Sequence, residues 1–308
     1  MKRRVLLILC LAAAAAAGLI WYYARRPGLP TEEPLITLYV KERDAVEKIR
    51  LEDYLVGVVA GEMDPNWPVN ALAAQAILAR TFTLKKMAEG GVEAHGTDAS
   101  TDEKEFQAYA PEKASEAVRR AVSMTRGLVC TYRGRYINGW FHADSGGRTA
   151  ASAAEGLDYD QEPTPYVQSV PDPGYSASPP ENRAWKTSFP WAEVRAAVRA
   201  ATGRDPGAEP SAEVVARGPS GRATRVRIGK VALSGPSLRL ALGSERMRST
   251  LLTRLAVSDG SLVAEGRGFG HGVGMSQWGA KVLAEQGRSP EEIIRYFFRD
   301  VKVERAWK

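Results

Sequence analysis

From residue 36 onward, apolar positions recur with spacings that change along the chain. Ile36-Thr37-Leu38-Tyr39-Val40 alternates, which predicts a strand. Leu51, Leu55, Val58 and Glu62 then follow at intervals of four, three and four, and Val69, Ala73, Ala76, Arg80, Thr83 and Met87 keep the helical period. Two helices are expected there, parted by Pro65 and Pro68, with Gly90-Gly91 stopping the second. A loop over 92–110 and a helix over 111–125 come next. Leu128–Tyr132 and Tyr136–Phe141 are expected to form a hairpin about Arg133-Gly134-Arg135. Residues 143–183 are rich in Gly, Ser and Pro and nearly aperiodic, which in a folded domain points to a functional segment. A helix over 190–201, short alternating runs such as Thr224-Arg225-Val226-Arg227-Ile228, and helices over 275–285 and 290–298 complete the pattern. The expected fold class is α+β, with mixed helices packed on antiparallel sheet and a β-rich subregion at about 205–265.

Ahead of this body, Val5 to Tyr23 carries no charge, and as a helix it would span about 28 Å, close to a hydrocarbon core. Trp21, Tyr22 and Tyr23 stand at its end and basic residues flank it. A single membrane-spanning anchor over 1–26 is expected, followed by a proline-rich linker over 27–35 and an extracytoplasmic body over 36–308. The alternative is a cleaved signal peptide, for which Ala12–Ala17 offers small residues. The net charge of +6 changes meaning in this light. Residues 1–26 hold five basic residues and no acid, while the rest has 37 Lys and Arg against 36 Asp and Glu. The body is not expected to bind nucleic acid. Beyond the anchor only Cys130 remains, so no internal disulfide is possible.

Glu62 falls on the apolar stripe of its helix, near the C-terminal end. Burial and the negative helix end would both raise its pKa and suit it to general acid catalysis. If the helix ends sooner, Glu62 is simply solvated. Arg80 interrupts the stripe VNALAAQAILARTF and needs anionic or carbonyl partners. It is either a structural arginine or one that faces substrate. His142 in FHADSGGRT and His271 in GRGFGHGVGMSQWGA lie beside glycine-rich turns. Asp144 and His95 are available as further metal ligands, but no spacing such as HxxxH or CxxC exists, so no metal and no cofactor are expected. Ser276 and Gln277, within Gly266–Gly279 where six of fourteen residues are glycine, suit hydrogen bonding to a sugar or a helix cap.

Taken together, LEDYLVGVVAGEMDPNWPVNALAAQAILARTF, FHADSGGRT, PYVQSV and GRGFGHGVGMSQWGAKVLAEQG resemble the ordered motifs of the SpoIID family, the stage II sporulation protein D and amidase-enhancer group. The similarity spans roughly residues 36–300. The resemblance implies a lytic transglycosylase that cleaves peptide-stripped peptidoglycan glycan strands during sporulation engulfment, with Glu62 as the catalytic acid. It implies work alongside a SpoIIP-type amidase and a SpoIIM-type membrane protein. Arg80, His142, Ser145, Tyr166, His271, Gly274, Ser276 and Gln277 are then the candidates for lining a substrate groove. The alternative is a glycan-binding enhancer of an N-acetylmuramoyl-L-alanine amidase that has no turnover of its own. Products with ordinary reducing ends would instead mean a hydrolase, with Asp53 or Asp144 as the second carboxylate.

Overall fold

A computed structural model describes residues 29–308. The expected anchor over 1–26 lies outside the described residues. Among those described, no helix is long and apolar enough to cross a membrane.

Strand β1 (Leu35–Val40) turns Ile36, Leu38 and Val40 inward. It pairs antiparallel with β2 (Ala45–Arg50). The chain then enters α1 (Leu51–Glu62) and, after the Pro65–Pro68 turn, α2 (Val69–Ala88). The loop that follows returns through β3 (Ala99–Ser100), which joins β1 in parallel. The expected single stripe on α2 is too narrow a description. Every residue from Ala71 to Thr81 is buried, so the helix is wrapped on all sides and forms the axis of the main core.

The helix expected over 111–125 is split. Pro111–Lys113 makes one tight turn, and α3 (Glu116–Met124) starts afresh from Ser115, whose hydroxyl accepts the Val118 N–H. β4 (Leu128–Tyr132) and β5 (Arg135–Tyr136) form the expected hairpin, but it is only two pairs long. β6 (Phe141–His142) leaves to pair elsewhere.

The aperiodic stretch holds two short helices, α4 (Ala153–Leu157) and α5 (Pro180–Arg183). A second core then begins at Trp185, about twenty residues before the sequence pattern turns visibly β. β7 (Trp185–Pro190), α6 (Trp191–Thr202), β8 (Ala212–Arg217), β9 (Ala223–Ile228), β10 (Val231–Ser234), α7 (Gly235–Ala241), β11 (Leu252–Ser258) and β12 (Ser261–Gly266) build it. They form two three-stranded antiparallel sheets, β10-β9-β8 and β11-β12-β7. The chain re-enters the main body with β13 (Met275–Ser276), α8 (Gln277–Glu285) and α9 (Pro290–Phe297). β14 (Lys302–Arg305) closes a third edge on β4. The α+β expectation stands, with one amendment: β1–β3 and β6–β13 are parallel pairs.

Candidate active site

Glu62 is the last residue of α1. Two glycines one turn apart, Gly57 and Gly61, leave a trough along this helix, and residues 108–110 lie in it. A Cβ on Gly57 would stand 2.3 Å from the Tyr109 ring, and one on Gly61 would stand 2.9 Å from the Ala108 backbone. The Ala110 N–H donates to the Gly57 carbonyl at 3.0 Å. The Ala108 N–H donates to Glu62 Oε1 at 2.8 Å. Glu62 retains some surface, but its carboxyl is crowded by protein. Desolvation pushes its pKa up from 4.5 to about 7, the Ala108 N–H opposes the shift, and Glu103 on the same loop adds to it. The group is thus divided between acid and carboxylate near neutral pH. It has one oxygen held by the backbone and the other free to exchange a proton.

The glycine-rich segment reaches the backbone of Glu62 through Gln277. Its Nε2 donates to the Glu62 carbonyl oxygen at 3.0 Å, across 215 positions of sequence. β13 lies parallel to β6, which sets Ser276 beside His142. Trp278, next along, donates its backbone N–H to the Ala143 carbonyl and packs edge-on to Trp67 with ring centroids 4.7 Å apart. Motifs widely separated in sequence therefore meet at the end of α1.

Several expected groove residues serve other purposes. Arg80 is fully buried. Its Nε and Nη2 grip both oxygens of Glu52 at 3.0 and 2.6 Å, and Nη1 donates to the Leu128 carbonyl at 2.9 Å. Glu52 sits at the opposite end of α1 from Glu62, about 15 Å away at 1.5 Å per residue. Arg80 is a structural arginine, and its substrate-facing placement is corrected. Ser145 is fully buried, with its N–H and hydroxyl both given to Asp172. Tyr166 is buried, and its hydroxyl accepts from the Asn138 backbone and side chain. Gly274 adopts φ 74° with the Trp140 carbonyl 2.2 Å from where a Cβ would stand, so it serves close packing. Ser276 is buried and caps α8, accepting the Gly279 N–H.

The two histidines form a latch. His142 Nδ1 meets the Val273 carbonyl at 3.1 Å, and His271 Nδ1 accepts the Val273 N–H at 3.0 Å. Their rings lie 5.6 Å apart. Burial and the neighbouring guanidinium of Arg222 lower His142 to about 3, and burial with the His142 ring lowers His271 well below its usual value. Both are neutral at physiological pH, so neither is a cationic acid. Among the described residues no cluster of His, Cys, Asp and Glu is arranged to hold a metal.

Arg222, Asp172 and Glu155 were not anticipated. Arg222 directly precedes β9, is almost fully buried, and donates to the carbonyls of Ser145 and Arg148 at 2.7 and 2.9 Å. Glu155 accepts from the Ser220 N–H and hydroxyl. These bonds fasten the β-rich region to the middle motif. No sequence signal marks them, because Arg222 stands just before an ordinary alternating run. Asp53 is exposed near the start of α1, and Asp144 is buried with its pKa raised by desolvation to about 6. Neither has a hydrogen bond to Glu62.

The site defines an α+β protein organised around one desolvated helix-end carboxyl, with the C-terminal glycine-rich motif bound to the backbone of the same residue. Residues 39–132 match the family model described as Stage II sporulation protein. The chain is 32% identical over 284 residues to stage II sporulation protein D of Bacillus subtilis (strain 168), covering 88% of this chain and 79% of that protein. The Bacillus amyloliquefaciens protein of the same name is 29% identical over 293 residues, covering 91% and 81%. The amidase enhancer of Bacillus subtilis is 26% identical over 286 residues, covering 79% of this chain and 39% of that protein. The chain belongs to the SpoIID family.

Proposed function

We propose that this protein is a lytic transglycosylase acting on peptide-stripped peptidoglycan strands, with Glu62 as its acid and base. The observation that carries the reading is the state of Glu62, a carboxyl raised to about 7 with only one oxygen occupied. The protonated form gives its proton to the oxygen bridging N-acetylmuramic acid and N-acetylglucosamine, and the bond from that oxygen to the muramic C1 breaks. The resulting carboxylate takes the proton of the muramic C6 hydroxyl as this oxygen bonds to C1, which closes a 1,6-anhydro ring. One carboxyl serves both steps and no water is consumed; among the described residues Glu103 is the carboxylate whose charge reaches Glu62, and no hydrogen bond joins the two. A hydrolase would need a second carboxyl group.

The test is a digest of peptide-free strands with product masses read by mass spectrometry. Products of the active protein lie 18 Da below their hydrolytic counterparts, the mass of one water, and Glu62→Gln lowers the rate at least 100-fold. Products with ordinary reducing ends would replace this reading with a hydrolase. The match to an amidase enhancer favours one other reading, a strand-binding stimulator without turnover. It predicts stimulation of an amidase that survives Glu62→Gln. An amidase partner that strips peptides, and an N-terminal anchor holding the body outside the cytoplasm, belong to the same proposal.

A further inference from the structure

The charge of the body is divided between its two cores. Residues 183–267 hold 15 Lys and Arg against seven Asp and Glu, while residues 29–182 and 268–308 together hold 22 against 29. A nearly neutral body is therefore an electric dipole, positive on the β-rich region by eight charges and negative elsewhere by seven. Much of the positive excess is unquenched. Arg195 and Arg199 share the one carboxylate of Asp205, and Lys186 and Arg254 share Glu265.

At the end of the β11-β12-β7 sheet the excess borders an open groove of about 420 Å³. Arg183, Lys186, Arg267, Thr253 and Trp185 line it, and Glu265 is its only acid. Arg183 and Arg267 are exposed and neither is in a salt bridge with an acid. Trp185 is 6% exposed, wedged under Gly266, and its indole N–H is buried without a hydrogen-bond acceptor. Along the chain, Arg267 directly precedes the Gly268–Gly274 segment, which leads to Gln277 and its bond to the Glu62 carbonyl.

We propose that this groove is a second docking site for the glycan strand, one that recognises its carboxylates at a distance from the bond being cut. The inference rests on the substrate class proposed above. A peptide-free muramic residue presents a free lactyl carboxylate, so a stripped strand is a polyanion with regularly spaced charges, whereas an amide-linked stem peptide masks that group. Arg183, Lys186 and Arg267 supply complementary charge.

The experiment uses the full chain carrying Glu62→Gln, so that strands persist. Its affinity is measured for peptide-stripped strands and for the neutral hexamer of N-acetylglucosamine. Adding Arg183→Glu and Arg267→Glu, both on the surface, is expected to weaken strand binding about tenfold and flatten its salt dependence, with hexamer binding unchanged. Equal losses for both ligands, or no loss for strands, would overturn the proposal. So would retention on phosphatidylglycerol vesicles without strand binding, which would make the groove a lipid contact. Binding is read in a chain lacking the acid. Absence of anhydro products from the wild type would therefore end the catalytic reading and leave the docking result to be judged by itself.

Discussion

Replacing Glu62 with Gln should stabilise the protein, and by an amount that depends on pH. The carboxyl has a pKa of about 7 in the folded chain and an ordinary 4.5 when unfolded. Between these values the folded state holds the extra proton, so stability falls as pH rises from 4.5 through 7. At pH 9 both states are ionised and the whole shift counts against folding, an upper bound of about 3 kcal/mol at 1.36 kcal/mol per unit. At pH 5 the same arithmetic leaves under about 1 kcal/mol. Glutamine is neutral throughout, and its side-chain oxygen can still accept the Ala108 N–H. Urea denaturation of wild type and Glu62→Gln at pH 5 and pH 9 measures the difference directly. The variant should gain about 2–3 kcal/mol relative to wild type between the two pH values. A stability difference that is flat with pH would mean an ordinary, solvated carboxyl. The acid–base assignment would then have no physical basis, whatever the variant does to activity.

Other outcomes follow from the same geometry. Gly61→Ala drives a Cβ against the Ala108 backbone, so the N–H on Glu62 should be displaced. Because that bond favours the carboxylate, the apparent pKa in the pH–rate profile should rise further while kcat falls. Arg80→Met leaves Glu52 buried without its cation, and an expected loss of about 3–5 kcal/mol in denaturant melts should bring activity down only as far as folding does. Gln277→Leu removes the tie to the Glu62 carbonyl, and kcat should drop about tenfold with the melting midpoint nearly unchanged, as measured by strand turnover and calorimetry. The same experiments on His142→Phe should show lost stability rather than a shifted pH optimum, since the ring is neutral near pH 7.

What could be seen in advance was local. The period of α1 and α2, the proline turn between them and the Ser-Pro start of α9 follow from neighbours a few residues apart. The acid at position 62 stood out because it fell on an apolar stripe. What was hidden depends on partners distant in sequence. Tyr136–Phe141 has the makings of a full hairpin strand, but Phe141 and His142 are taken by Met275 and Ser276 more than 130 positions away. Arg80 looked available because Glu52, its partner, lies on another helix. Ala108 binds the acid through a backbone amide, which any residue but proline carries and no side chain advertises. The second core starts early because β7 pairs with β12, a strand some 70 residues downstream.

The bond from Gln277 to the Glu62 carbonyl also fixes when the molecule can first work. A chain emerging N-terminus first completes its acid-bearing helix within the first fifth of its length, yet the amide that braces it arrives near the end. Until α8 docks, a half-made copy carries the reactive carboxyl without the scaffold that aims it. In a chain assembled in this order, the acid and the amide that braces its helix are first held together only when synthesis is nearly complete.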